Sequence, residues 1–222
     1  PGVDSIACFG PTYGMYAISA ATFNVAVTAL SLTDDYQLPD AWSTQIGSAK
    51  IVFICNPNNP TGTVIAKDKI EQAIQAAPNA IVVVDEAYIE FCPDYSVADL
   101  LGAYPNLVVL RTLSKAFALA GARCGFMLAN DDIIDLVMRV IAPYPVPLPV
   151  SDLAVSPAGI DTMRTQVASL IEQGKRLSTA LTAYGANVLP ANGNYVLAKF
   201  DDVNVAAKRL GDSGVVARAY KD

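Results

Sequence analysis

The sequence predicts an α/β fold: a mostly parallel sheet with helices on both faces and one antiparallel strand, followed by part of a smaller α/β domain. Three observations carry that prediction. Apolar runs within Lys50–Cys55 (KIVFIC), Ile81–Val84 (IVVV) and Leu107–Leu110 (LVVL) are continuous rather than alternating, as expected of strands covered on both faces. Segments with helical stripes separate the strands, which makes crossover connections. Each run also ends in a cluster of polar residues, at the strand end where open α/β sheets bind ligands.

Taken in order, Asp4–Phe9 reads as a short strand, Gly10–Gly14 as a turn and Met15–Ala21 as a short helix. Val25–Leu32 is rich in β-formers, and Pro39–Ser48 reads as a short helix with proline near its first turn. The Lys50–Cys55 strand runs into Asn56–Gly62 (NPNNPTG), where two prolines and a glycine forbid regular structure. Ala66–Ala77 carries Ile70, Ala73, Ile74 and Ala77 on one helical stripe. Ile81–Val84 leads into Asp85–Tyr88 (DEAY). Ser96–Tyr104 reads as a short helix capped by Ser96, with Asp99 three residues on.

Leu107–Leu110 is the strand before Lys115, and Cys124–Ala129 the one after it. So few residues separate these two that the second is expected to run antiparallel. Asp131–Ala142 reads as a helix with Ile133, Ile134, Val137, Val140 and Ile141 on one side. Pro143–Pro149 (PYPVPLP) reads as a rigid extended connection near a domain boundary. A long helix over Pro157–Tyr184, interrupted by Gly174, is followed by a strand (Asn194–Phe200), a helix (Val203–Asp212) and a strand (Gly214–Arg218). The expected division is residues 1–150 as a large domain and residues 151–222 as part of a small one.

Composition narrows the functions open to this chain. Hydrophobic residues make up 53% and charged residues 16% of 222, enough for a sizeable core. A net charge of −6 argues against nucleic acid as a partner. No apolar run is long enough for a membrane span. Cys8, Cys55, Cys92 and Cys124 are scattered without a CxxC pair, and read as thiols of a reducing cytoplasm. Histidine is absent, which excludes His-based triads and ordinary His metal sites. A general base near neutral pH must then be Lys, Tyr, Asp, Glu or Cys. Pro1–Asp4 resembles neither a signal peptide nor a usual start, and both ends read as cut inside a longer protein.

The polar clusters describe one chemistry when taken together. Lys115 follows Thr112 and Ser114 just past a strand, with Arg123 eight positions on. An amine among hydroxyls and a guanidinium suits a cofactor that carries both an aldehyde and a phosphate. A pyridoxal cofactor needs a lysine, a carboxylate beside its ring nitrogen, donors to its phenolic oxygen and anchors for its phosphate. Lys115, Asp85, the pair Asn59 and Tyr88, and the trio Thr112, Ser114 and Arg123 meet those needs in turn. Once displaced by an amino substrate, Lys115 is a free amine able to carry a proton.

NPNNPTG, VVVDEAY and RTLSKAFALAGARCGF, in this order, resemble the fold-type-I PLP-dependent aminotransferases. FGPTYGMY, DEAYIEF and VIAPYPVP bring the resemblance closest to the histidinol-phosphate branch of that family. It covers nearly the whole chain, is most specific over residues 50–150, and implies a PLP-transferase-like fold. It implies that Lys115 forms the Schiff base with pyridoxal 5'-phosphate, that Asp85 pairs with the pyridine nitrogen, and that Asn59 and Tyr88 bond the phenolic oxygen. Ser114 and Arg123, helped by Thr112, would hold the cofactor phosphate, and Tyr13 would stack on the ring. Arg218 would contact the substrate phosphate and Asn194 would lie near the substrate. A cytoplasmic homodimer is implied, exchanging an amino group between L-histidinol phosphate and 2-oxoglutarate.

The resemblance also leaves gaps. The family's N-terminal arm, its phosphate-binding glycine loop and its last strand, helix and substrate arginine have no counterpart here, and Ser151–Pro157 is shorter than the family pattern. Weak or no activity is therefore expected of these residues alone. The same cofactor residues would serve an aromatic-amino-acid transaminase or a PLP decarboxylase, and a non-catalytic folded module is the alternative from another class.

Overall fold

A computed structural model of the chain describes residues 3–220. Pro1, Gly2, Lys221 and Asp222, on which part of the reading of the chain ends rests, lie outside the described residues. The elements are β1 (Ser5–Gly10), α1 (Met15–Thr22), β2 (Ala26–Ser31), β3 (Ala49–Cys55), α2 (Lys67–Ala76), β4 (Ile81–Asp85), β5 (Leu107–Thr112) and β6 (Gly125–Ala129). After them come α3 (Asp131–Met138), α4 (Leu148–Val155), α5 (Pro157–Ala183), β7 (Asn187–Val188), β8 (Ala198–Lys199) and α6 (Val203–Asp212).

The first six strands form one sheet in the order β2-β1-β3-β4-β5-β6. Every pairing in it is parallel except β5 with β6, which is antiparallel as expected. One face is closed by α2: Val52, Ile54, Val82, Val84, Leu107 and Val109 are buried against Ile70, Ala73 and Ile74. Ile6 and Cys8 of β1, with Cys55 of β3, pack against Tyr16 and Ala20 of α1 on the other face. Strands covered on both faces explain why the sequence runs are continuously apolar.

Register delivers the polar clusters to one edge. Cys55 lies level with Asp85, and Asp85 with Leu110. The Asn56 amide donates to the Asp85 carbonyl at 2.9 Å, and the Glu86 amide to the Leu110 carbonyl at 2.9 Å. The ends of β3, β4 and β5 are thus tied side by side where they leave the sheet.

Several expected elements are shorter than the sequence pattern suggests. Over 39–48 there is only a 3-10 turn, Trp42–Thr44, because Ala41 sits at φ 52 and interrupts any helix. Over 96–104 there is likewise only a turn, Ala98–Leu100. Ser96 does accept from the Ala98 amide at 3.2 Å, but the Val97 amide is taken by the buried Glu86 carboxylate at 2.7 Å. Helix α3 stops at Met138 rather than Ala142, short of Pro143, which disfavours helix in the residue before it. The proline-rich connection ends at Pro147, since Leu148 and Pro149 open α4, a position proline tolerates.

The tail departs furthest. The strand expected over Asn194–Phe200 shrinks to Ala198–Lys199, paired antiparallel with Asn187–Val188. Residues 190–195 are instead engaged with the NPNNPTG loop. Gly214–Arg218 is not a strand, for it has no neighbouring strand among the described residues, and a lone strand is not stable in water. Among the described residues no helix is long and apolar enough to cross a membrane, and no group of three or more His, Cys, Asp or Glu could hold a metal.

Candidate active site

Asp85 is the last residue of β4 and Lys115 lies in the turn after β5. The Asp85 carboxylate accepts from the Tyr16 hydroxyl at 2.6 Å and from the Ala87 amide at 3.1 Å. Burial raises its pKa above the ordinary carboxylate value, and the two hydrogen bonds and the nearby Lys115 charge oppose that rise. Lys115 Nζ stands 5.3 Å from the centroid of the Tyr88 ring, within cation–π range. Asn59 Nδ2 donates to the Tyr88 hydroxyl at 3.2 Å. Burial, then the neighbouring Cys55, pushes the Tyr88 phenol up to about 12, so it is a neutral donor at physiological pH.

The hydroxyls beside the lysine form their own pair. Thr112 Oγ1 donates to Ser114 Oγ at 2.9 Å and accepts from the Ser114 amide at 3.1 Å. Arg123 is exposed in a left-handed conformation, φ 51, and its guanidinium donates to the Ala120 carbonyl at 3.1 Å. Tyr13 is exposed and meets Tyr16 edge-on at 5.6 Å. Arg218 is exposed, its guanidinium 5.1 Å from the Tyr220 ring, and Asn194 is exposed beside Gly193. The structure thus brings Lys115, Asp85, Tyr88 and Asn59 together, with Thr112 and Ser114 as a second pair. Arg123, Arg218 and Asn194 have no described hydrogen bond to either group.

Sequence reasoning missed several residues that shape this edge. Tyr16 supplies the shortest contact to Asp85. Tyr13 precedes the Gly14 cap of α1, so helical spacing gives no signal that pairs it with Tyr16. Tyr195 donates to the Asn58 carbonyl at 2.5 Å and packs edge-on against Tyr88 at 5.1 Å. Asn192 Nδ2 donates to the Gly62 carbonyl at 2.8 Å. Gly62, at φ +69, lies so close to the 190–191 backbone that a Cβ would stand 2.2 Å from the Pro190 carbonyl oxygen. Behind the edge, Glu86 is fully buried, accepting from Arg111 Nε and Nη2 at 3.0 and 2.8 Å, from Ser96 at 3.0 Å and from the Val97 amide at 2.7 Å. No periodicity or motif marks Arg111 as its partner.

Known proteins resemble this chain in sequence and in fold. The family model for aminotransferase class I and II matches residues 1–220. Histidinol-phosphate aminotransferase of Shewanella oneidensis is 71% identical over 229 aligned residues, covering 100% of this chain and 59% of that relative's length. The chain therefore spans about three-fifths of that relative. Among solved structures, the histidinol-phosphate aminotransferase of Clostridium acetobutylicum superposes with a TM-score of 0.87 at 22% identity, covering 96% of this chain and 67% of that one. That of Sinorhizobium meliloti, solved with pyridoxal-5'-phosphate, superposes at 0.76 with 22% identity, covering 98% of this chain and 62% of that one.

Proposed function

We propose, since this chain belongs to the class I and II aminotransferase family, that it works as a pyridoxal-phosphate-dependent transaminase. The reaction would pass an amino group between L-histidinol phosphate and imidazole-acetol phosphate on one side and glutamate and 2-oxoglutarate on the other. A single observation carries this reading: a half-buried lysine, a carboxylate held by two donors and an amide–phenol pair converge at the ends of adjacent parallel strands. The 71% identity to a histidinol-phosphate aminotransferase supports the choice of substrate.

The donor set fits the cofactor. A buried carboxylate braced by two hydrogen-bond donors suits a protonated ring nitrogen, and neutral phenol and amide donors suit a phenolic oxygen. Bound there, pyridoxal phosphate supplies the electron sink that makes the substrate's Cα–H bond acidic. Lys115 would hold the aldehyde carbon and, as a free amine, would move the proton at the substrate Cα. Asp85 would hold the ring nitrogen, and Asn59 with Tyr88 would orient the phenolic oxygen. Thr112, Ser114 and Arg123 would bind the phosphate, and Tyr13 would cover the ring face. Arg218 and Asn194 would act on the substrate side. We also infer a cytoplasmic homodimer, the usual state implied by the sequence resemblance.

The test is direct. The full-length protein, loaded with pyridoxal phosphate, is given histidinol phosphate and 2-oxoglutarate, and glutamate is measured beside parallel reactions with aromatic amino acids. Glutamate formation fastest with histidinol phosphate is expected; failure to take up the cofactor would sink the reading. Residues 1–222 alone are expected to turn over weakly or not at all in the same assay.

A further inference from the structure

The contact between Tyr16 and Asp85 joins α1 to the end of β4, groups 69 residues apart in the chain. At 2.6 Å it has the length of a hydroxyl bonded to an ionised carboxylate. Tyr16 is only 7% exposed. Its ring is fixed on both sides, stacked on Phe53 at 4.6 Å with the planes 12° apart, and met edge-on by Tyr13. A phenol held this way cannot swing to another acceptor. The bland alternative is that a buried phenol simply needs a partner. Against that, the partner is the one acid whose charge the cofactor reading requires, and its two oxygens are anchored separately, Oδ2 by Tyr16 and Oδ1 by the Ala87 amide. An ionised carboxyl offers about four lone-pair sites, so two anchors define its plane and leave sites over.

The surroundings divide the charge clearly. The groups that face Asp85 are Tyr16, Lys115, Cys55 and Tyr88. Burial pushes the Tyr16 phenol far above its ordinary value and the Cys55 thiol up to about 12, so both stay protonated in working buffers. Tyr16 is then always the donor and Asp85 always the acceptor. Burial works to protonate Asp85, and Tyr16 leads the interactions that resist it.

We propose that Tyr16 is a positioning residue for the cofactor, orienting the Asp85 carboxylate and keeping it negative so that it pairs with the ring nitrogen of pyridoxal phosphate. The cofactor half of this statement rests on the functional reading above; the hold on Asp85 does not.

The experiment uses Tyr16→Phe in the full-length protein, a change that keeps the ring and its stacking. In cofactor-free protein, carbon-detected NMR follows the titration of the Asp85 carboxyl. Its midpoint is expected to rise in the variant, and an unmoved midpoint overturns the proposal whether or not the protein binds the cofactor. Dissociation constants are then compared for pyridoxal phosphate and for its analogue with CH in place of the ring nitrogen. Loss of one charge-assisted bond is expected to weaken pyridoxal phosphate about 10-fold and leave the analogue unchanged. Equal weakening of both would assign Tyr16 a packing role and overturn the proposal. Placing 4-aminophenylalanine at position 16 restores a donor and is expected to recover affinity; no recovery also counts against it. Wild-type protein that takes up neither compound would overturn the functional reading instead.

Discussion

Two carboxylates adjacent in sequence live in opposite surroundings. Glu86 is fully buried and saturated, with four donor contacts from Arg111, Ser96 and Val97. Asp85 has two donors and faces an amine with which it forms no ion pair short enough to count as a salt bridge. A saturated charge has nothing left to offer a ligand and ties the structure together. A partly satisfied one, braced but open, can take one more partner. Under the proposed function the Glu86 side serves stability and the Asp85 side chemistry, and substitutions on each side should separate the two.

The largest effect is expected at Lys115. Under the proposed function Lys115→Ala removes both the cofactor's attachment point and the proton carrier, and turnover by the full-length protein should fall about 10,000-fold or more. Cofactor should no longer survive gel filtration covalently bound, while urea unfolding stays close to wild type. Unfolding at markedly lower urea would show that the lysine also holds the fold.

Arg111→Met is the counterpart on the other side. It leaves the Glu86 charge buried with fewer partners, a kind of break that costs about 3 kcal/mol or more. The urea midpoint should drop with an unchanged slope, and any protein that stays folded should bind pyridoxal phosphate with near wild-type affinity. Lost affinity at full stability would blur the division between the two carboxylates.

How far these features can be read from sequence follows the same division. The sheet is plain in its apolar runs, because burial on both faces leaves a continuous signal. The convergence of Asp85, Tyr88, Asn59 and Lys115 is also accessible, since register brings successive strand ends level. Partners that arrive from other elements carry no such signal. Tyr16 reaches Asp85 from a helix, Tyr195 reaches Asn58 from the tail, and Arg111 follows the apolar run of its strand with nothing in the pattern to name its partner. The tail differs from its sequence pattern for a related reason. Asn194–Phe200 and Gly214–Arg218 have strand-like composition, but β-propensity acts only where a partner strand and a face to bury exist.

Tyr195→Phe tests that tail contact with a smaller expected effect. Removing the hydroxyl that donates to the Asn58 carbonyl at 2.5 Å should cost about 1 kcal/mol. Because the same ring packs on Tyr88, which Phe preserves, cofactor affinity should change little. Protection of the NPNNPTG amides from hydrogen exchange should fall, and unaltered protection would mean the loop holds its shape without the tail.

The smallest effect at neutral pH, and the one most specific to the Asp85 side, is alkaline. The Cys55 thiol is pushed from 9.0 up to about 12, with burial the largest cause and the Asp85 charge next. The Tyr88 phenol moves from 10.0 to about 12 for a similar reason. In both groups the folded state holds its proton more tightly than the unfolded chain does. Their contribution to stability is therefore complete below pH 9, and it is lost as pH rises from about 9 toward 12, where the unfolded chain releases protons that the folded one retains. Urea unfolding between pH 8 and 11.5 should show stability falling with pH. Cys55→Ala should make that fall shallower from about pH 9 upward, while leaving the curve near pH 7 unchanged in slope. A Cys55→Ala protein with the same alkaline slope as wild type would show that this thiol titrates normally. The ends of β3 and β4 would then be wetter, and less able to hold Asp85 by hydrogen bonds alone, than their burial indicates.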